Sequence, residues 1–224
     1  MTNVAPWSFS KIKSFQQCPK QFYYEKILKQ YPTKVSQAML YGTHFHTACE
    51  NYIGKGEPLP AKYSYMQGAL DSLNAIEGTK IAEQRLGLTE DMRPCKFGAK
   101  DVWFRGIVDL AIVNEEKETA FIVDYKTGKN AKYADKGQLE LMAVSIFQHY
   151  PQVRTIKAAL MFVVPKALIK AEYTVEQVPD LWMKWRGAYA SMQAAADTDV
   201  WNPRPSGLCR QHCPVLECAH NGKN

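Results

Sequence analysis

The sequence predicts an α/β fold in which a mixed central sheet is flanked by helices. Three observations predict it. Val102 to Val113 and Thr119 to Tyr125 are both rich in β-branched and aromatic residues, and the polar turn Asn114-Glu115-Glu116-Lys117 between them gives a hairpin signature. Around that hairpin the pattern runs helices, three strands, a helix, two strands and a helix. The composition is globular: of 224 residues, 46% are hydrophobic and 22% charged, which excludes disordered and fibrous classes.

In order along the chain, Ser8 or Ser10 can cap a first helix, Phe9 to about Gln17, which Pro19 interrupts or restarts. A second helical stretch carries Phe22, Tyr23, Ile27 and Leu28 on one side. Gln37 to about Ile53 is helical and closes at Gly54; Pro58 and Pro60 mark a loop; Tyr63 to Ile76 is another helix before Gly78. Ile81 to Leu88 reads as a strand ahead of the hairpin, and Gly128 ends the second hairpin strand. Lys132 to His149 is helical and is halted by Pro151. Lys157 to Val164 and Leu168 to Val175 are strands around Pro165, and a helix rich in Trp and Met runs from about Val178 to Ala196. From Trp201, Pro203, Pro205 and Pro214 imply irregular chain that needs an external tie. No repeat or Gly/Ser linker divides the chain, so a single domain over 1–224 is expected. It would comprise a helical N-terminal region (1–78), a sheet core (79–176) and a C-terminal helix with a Cys-rich tail (177–224).

No run approaches ~18 apolar residues, so no membrane span is expected. Met1 to Lys13 lacks an apolar signal core, so a cytoplasmic location is expected. Twenty-eight basic and twenty-two acidic residues give +6. Lys11, Lys13, Lys20, Lys26, Lys29 and Lys34 face Glu25 alone within residues 1–40, a local +5. Such an arm suits an anionic polymer such as nucleic acid, or is simply a solvated face.

The hairpin holds an anomaly. Asp109 interrupts the apolar run Ile107-Val108-Asp109-Leu110-Ala111-Ile112-Val113, and Asp124 follows Phe121-Ile122-Val123. A buried carboxylate without a partner costs several kcal/mol or shifts its pKa. Two of them at the ends of paired strands ask for a cation to share. Asp124 and Lys126 are two apart and so project from one face. An ammonium there could orient or deprotonate a water and stabilise charge on a phosphate, and hard oxygen ligands suit Mg²⁺ or Mn²⁺. The plainer alternative is an ion pair at a strand end. Upstream, His46 and Glu50 are four apart on one helix face, and Glu83 lies on the strand before the hairpin. Downstream, Gln138 opens a helix after Lys129, Lys132 and Lys136, lysines suited to phosphates without reading sequence. Of six cysteines, Cys209, Cys213 and Cys218 fall within ten residues, a spacing for metal or cluster ligation rather than disulfides in a reducing compartment. Cys18 is the best fourth ligand, His212 and His220 could complete a zinc site, and Cys49 and Cys95 read as buried small hydrophobes.

The ordered set Gly42-x-x-x-His46, Glu83, Gly106-Ile107-Val108-Asp109, Asp124-Tyr125-Lys126-Thr127-Gly128 and Gln138, flanked by Cys18-Pro19 and the Cys209/Cys213/Cys218 trio, resembles the RecB-like PD-(D/E)XK nucleases. That group is related to phage exonucleases and to CRISPR-adaptation nucleases with an iron–sulfur cluster. The resemblance implies a restriction-endonuclease-like core. Asp109 and Asp124 would bind catalytic Mg²⁺ or Mn²⁺, with His46 and the backbone carbonyl of Tyr125 as further ligands. Lys126 would position or activate water, with Glu83 and Gln138 as further catalytic groups; Met142 stands where the group usually has Tyr. One N-terminal and three C-terminal cysteines, here Cys18, Cys209, Cys213 and Cys218, would hold a [4Fe–4S] cluster, with structural Zn²⁺ the alternative because three residues, not two, separate Cys209 from Cys213. Lys129, Lys132, Lys136 and Gln138 would bind DNA, single-stranded or with free ends. The implied activity is a phage-encoded DNA exonuclease in recombination, replication or DNA degradation, with a recombination or replication protein as partner and the oligomeric state open. The alternatives are a catalytically quiet DNA-binding subunit and a nuclease of CRISPR adaptation.

Overall fold

The computed structural model describes residues 4–32, 34–132 and 134–223. The chain forms two compact units, Ser36–Trp182 and the paired chain ends Met1–Val35 with Met183–Asn224.

The larger unit is built on a six-stranded mixed sheet of order β2-β1-β3-β4-β5-β6: β1 (Thr79–Leu88), β2 (Pro94–Cys95), β3 (Phe104–Asn114), β4 (Thr119–Lys126), β5 (Thr155–Phe162) and β6 (Ala167–Thr174). All neighbours are antiparallel except β4 and β5, which run parallel and are joined through a helix, as a parallel pair requires. The expected hairpin is β3–β4, its turn fixed by Asn114 Oδ1 accepting the Lys117 N–H at 3.0 Å. Helices flank the sheet. The one numbered α3 in chain order (Gln37–Lys55) and α4 (Gln67–Asn74), entered through a 3₁₀ segment Ala61–Met66, bury Phe45, Ala48, Cys49, Tyr63, Met66 and Leu70 against Leu110, Ile112, Val123 and Tyr125. The crossover helix α5 (Gly137–His149) lies against β1, β3, β4 and β5 with Leu139, Leu141, Val144 and Ile146 fully covered.

Several elements depart from the sequence expectation, three of them for readable reasons. Helix α3 passes Gly54 and ends at Lys55, because Gly56 (φ 70°) supplies the left-handed cap. Helix α5 starts at Gly137, not Lys132: Asn130 Oδ1 takes the Lys132 N–H and Asp135 Oδ1 takes the Gly137 N–H, both at 2.8 Å, so these side chains capture the backbone at 130–132 and 135–137 before the helix begins. The two-residue edge strand β2 was not expected, and Cys95 on it is half-buried rather than a core residue.

In the unit of chain ends, Ser8 caps α1 (Phe9–Gln17) and Pro19 restarts the chain as α2 (Pro19–Phe22). A π-helical turn follows at Tyr23–Ile27, with the Leu28 N–H reaching back five residues to the Tyr23 carbonyl at 2.9 Å. The wider turn breaks the expected one-sided stripe, leaving Phe22 buried and Leu28 exposed. The last long helix, α6 (Val178–Thr198), enters this unit from Met183. Trp201 stacks on Tyr23 and Phe22 with centroids 5.1 and 5.9 Å apart. Glu217 accepts from Tyr31 and Gln30 at 2.7 and 2.6 Å, so the tail packs through its own side chains as well.

Candidate active site

The acidic residues singled out from the sequence form one cross-strand row. The β1–β3 register runs Ala82↔Leu110 and Gln84↔Val108, which sets Glu83 opposite Asp109. The β3–β4 ladder ends at Leu110↔Val123, which makes Asp124 the next residue opposite Asp109. There the ladder is replaced by a side chain: the Tyr125 N–H donates to Asp109 Oδ2 at 2.7 Å.

Backbone geometry turns this row toward α3. Ala82 lies against Gly54 of α3, whereas Gln84 donates to the Tyr150 hydroxyl at the end of α5 at 2.5 Å. Residues two apart in a regular strand share a face, so the residue between them reverses the alternation. That residue is Glu83, which has the left-handed φ of 49°. A non-glycine there costs about 1–3 kcal/mol and is held only by its surroundings. Asp109 sits at the same reversal, between Val108 (opposite Gln84) and Leu110 (packed with α3). In consequence His46, on the third turn of α3, has Nδ1 3.2 Å from Asp109 Oδ1 and 3.9 Å from Glu83 Oε1. One ligand atom from each of His46, Glu83 and Asp109 falls within 4.8 Å of the others, room for one metal ion.

On the other side of the row stands a closed triangle. Lys126 Nζ lies 2.7 Å from Asp124 Oδ2 and donates to Gln138 Oε1 at 2.7 Å, while Gln138 Nε2 donates to Asp124 Oδ1 at 2.6 Å. Strand periodicity places Asp124 beside Lys126, and the second residue of α5 closes the ring. Asp124 Oδ2 is buried and, apart from that ion pair, has no well-directed hydrogen bond among the described residues.

Burial, joined by the charge of Asp109, drives the Asp124 carboxyl well above the ordinary carboxylate range against the pull of Lys126. Burial and Asp109 likewise raise Glu83, with His46 opposing. At His46 burial disfavours the charged ring, but the contact with Asp109 and the charges of Asp124 and Glu83 outweigh it, and its pKa is raised. The row is thus overloaded with negative charge, a condition that a divalent cation relieves. An imidazole with two or three carboxylates is a donor set that fits Mn²⁺ or Mg²⁺.

The remaining expected residues fall as follows. Gly42, Thr43, Thr47 and Glu50 line the open side of the cleft with His46 and Glu83; a Cβ on Gly42 would come within 3.3 Å of Thr127 Oγ1. The Tyr125 ring is buried against Phe45 and His46, 6.0 and 5.9 Å between centroids. Lys129, Lys132 and Lys136 are exposed on the turns before α5. Lys11 of the N-terminal arm is turned inward: its ammonium donates to the Val4 and Pro6 carbonyls at 2.6 and 3.3 Å, and burial lowers its pKa. Sequence reasoning missed the left-handed backbone of Glu83, for which a single acidic side chain carries no signal.

Within the unit of chain ends, Cys18, Cys209, Cys213 and Cys218 line one cavity together with His220. Backbone N–H groups already point at two of the sulfurs: Gln21 and Arg204 at Cys18 Sγ (3.5 and 3.4 Å) and Ser206 at Cys209 Sγ (3.4 Å). None of the four is joined in a disulfide. Cys49 is a core residue whose thiol burial pushes up to about 12, with the Asp109 charge adding to it.

The chain matches the PD-(D/E)XK nuclease superfamily over residues 6–218. Among solved structures, a protein from Eubacterium rectale named "Putative exonuclease" is similar at TM-score 0.54 and 13% identity, covering 94% of this chain and 89% of that one. The crystal structure of SSO0001 is similar at TM-score 0.48 and 13% identity, covering 99% and 89%. No curated protein matches the sequence. Among the described residues no helix is long and apolar enough to cross a membrane.

Proposed function

Because the chain belongs to the PD-(D/E)XK nuclease superfamily, we propose that it is a divalent-metal-dependent DNA exonuclease whose site is the Glu83–Asp109–Asp124 row. The observation that carries this reading is the sandwiching of that row between His46 on one side and the Lys126–Gln138 pair on the other. Asp109, Asp124, His46 and the Tyr125 backbone carbonyl would hold Mg²⁺ or Mn²⁺, with Glu83 beside them. When bound, such an ion supplies Lewis acidity toward a phosphate oxygen and lowers the pKa of a water.

The protein's own groups then divide the work. Asp124 and Gln138 pin the Lys126 ammonium, leaving its third proton to orient the attacking water or meet charge developing on the phosphate. Gln138 holds both partners of that ion pair at once, so it acts here by positioning as well as by DNA contact. Lys129, Lys132 and Lys136 bind phosphates of a strand with a free end, without reading sequence. The four cysteines bind a [4Fe–4S] cluster, a reading supported by their lining one cavity and by N–H groups aimed at two of the sulfurs. The setting is the cytoplasm of a bacterial host, with the gene carried by a phage and the enzyme serving recombination, replication or DNA degradation alongside a partner protein. End-labelled single- and double-stranded DNA, incubated with Mg²⁺, Mn²⁺ or EDTA, tests the reading. Stepwise shortening with either ion and none with EDTA is expected; intact DNA under every condition overturns it.

A further inference from the structure

Beyond the acidic row, β1 and β3 carry a second polar feature on the face that the reversal at Glu83 exposes. Gln84 faces α5, so the next residue, Arg85, faces away from it, and Arg85 is exposed. Its cross-strand partner is Ile107, a partly exposed apolar residue at 38%, and Arg105 lies diagonally from it on the same face. Phe97, on the loop after β2, packs against both guanidinium groups, 5.8 Å from Arg85 and 5.2 Å from Arg105 to the ring centroid. Neither arginine has a carboxylate within ion-pair distance among the described residues. The Arg105 Nε is buried without a hydrogen bond, so ring stacking is what holds that side chain. Two cations that share one aromatic ring, with no anion between them, repel each other and are stabilised by whatever anion arrives.

We infer that Arg85, Phe97 and Arg105 form a platform for the DNA strand running away from the acidic row, with the guanidinium groups taking its phosphates and Phe97 with Ile107 supplying apolar surface for an unpaired base. At about 3.4 Å per strand residue, Arg85 lies roughly 7 Å from Glu83 and Arg105 roughly 14 Å from Asp109 along the strands. The platform therefore meets phosphates that flank the scissile one. Planar guanidinium groups bind phosphate bidentately, and stacking on aromatic rings tolerates any base, which suits an enzyme that must feed successive nucleotides past one site. The inference rests on the nuclease reading for the identity of the polymer, and it adds where the strand lies and that the strand is unpaired there.

Binding is measured without divalent ions, by fluorescence anisotropy of a labelled single-stranded oligonucleotide across a salt series, so that no cleavage enters. Arg85→Gln and Arg105→Gln should each weaken binding about five- to tenfold at low salt and lower the slope of log K against log salt by about 0.7. Phe97→Leu should weaken binding a few-fold and leave the slope as in the unaltered protein. Oligonucleotides with one neutral methylphosphonate, moved along the strand, should show a position where wild type loses affinity and the arginine variants lose no more. Melting temperatures check folding, and the exposed Arg85 carries the test if Arg105→Gln is unstable. Salt slopes and methylphosphonate profiles equal to wild type in both arginine variants overturn the inference. If the unaltered chain cleaves no DNA with Mg²⁺ or Mn²⁺ while these binding losses still appear, the platform stands and the nuclease reading falls. If the chain cleaves DNA and the variants bind as wild type does, the platform falls alone.

Discussion

The two units hold their chemical groups by different means. In Ser36–Trp182 every group of the candidate site sits on regular structure: Glu83, Asp109, Asp124 and Lys126 on three adjacent strands, His46 on α3 and Gln138 on α5. Their spacing is set by ladder register, so the site exists at the cost of crowded negative charge and one left-handed residue. In the unit of chain ends, Cys209 closes a single 3₁₀ turn (Gly207–Cys209) and Cys213 and Cys218 sit on irregular chain, fixed by stacked rings, the Glu217 hydrogen bonds and N–H groups aimed at sulfur. A register tolerates few changes of residue but survives loss of a ligand; an irregular tail is the reverse, and its bound group would do the stapling. On the proposed reading, the difference separates catalysis from cohesion.

The separation is broken most directly at the acidic row. Asp109→Ala and Asp124→Ala should each lower cleavage of end-labelled DNA at least ~10³-fold, because water activation and phosphate stabilisation are lost together. DNA binding and iron content should stay as in the unaltered protein; residual cleavage within a few-fold would remove the proposed site. Lys126→Ala should reduce turnover ~10²–10³-fold with little change in Mn²⁺ affinity by calorimetry, and Lys126→Arg should not restore it, since a planar fork does not fit the place of a compact ammonium between Asp124 and Gln138. Full activity in the Arg variant would leave Lys126 only a diffuse electrostatic part.

On the cohesion side, Cys18→Ala should abolish the brown colour and about four irons per chain expected of anaerobically purified protein. It should also destabilise the protein by about 2–4 kcal/mol in denaturant titration, as loss of a cross-link between distant segments does. A colourless, active protein with stoichiometric zinc would replace iron but keep the staple; unchanged metal content and stability would remove the staple. The smallest effect on this axis belongs to the lysines. Neutralising Lys129, Lys132 and Lys136 one at a time to Gln should weaken binding a few-fold, equally for unrelated sequences, and reduce the salt slope by about 0.7–0.9 each. A loss confined to one sequence would contradict phosphate contact.

What could be read in advance follows the same division. Asp109 and Asp124 were legible because each breaks an apolar run, and Lys126 because strand alternation is strictly two-fold. The six-stranded order beyond the hairpin was less so, since β2 is two residues long and has no pattern to show. The start of α5 was misjudged because Lys132 and Lys136 suit a helix, while Asn130 and Asp135 capture the backbone first. The aromatic packing of the tail was missed because Trp201 and Glu217 find partners nearly two hundred residues away, a relation no local spacing encodes.

The left-handed backbone at Glu83 makes this position a point where stability and activity pull apart. Glycine adopts that conformation freely, so Glu83→Gly should melt higher than Glu83→Ala by an amount equivalent to about 1 kcal/mol, although both lose the carboxylate. A chain selected only to stay folded would be expected to drift toward Gly or Asn here. The acidic side chain on that backbone sets its carboxylate beside His46 and opposite Asp109, so the stability gained with Gly would cost the row one of its charges.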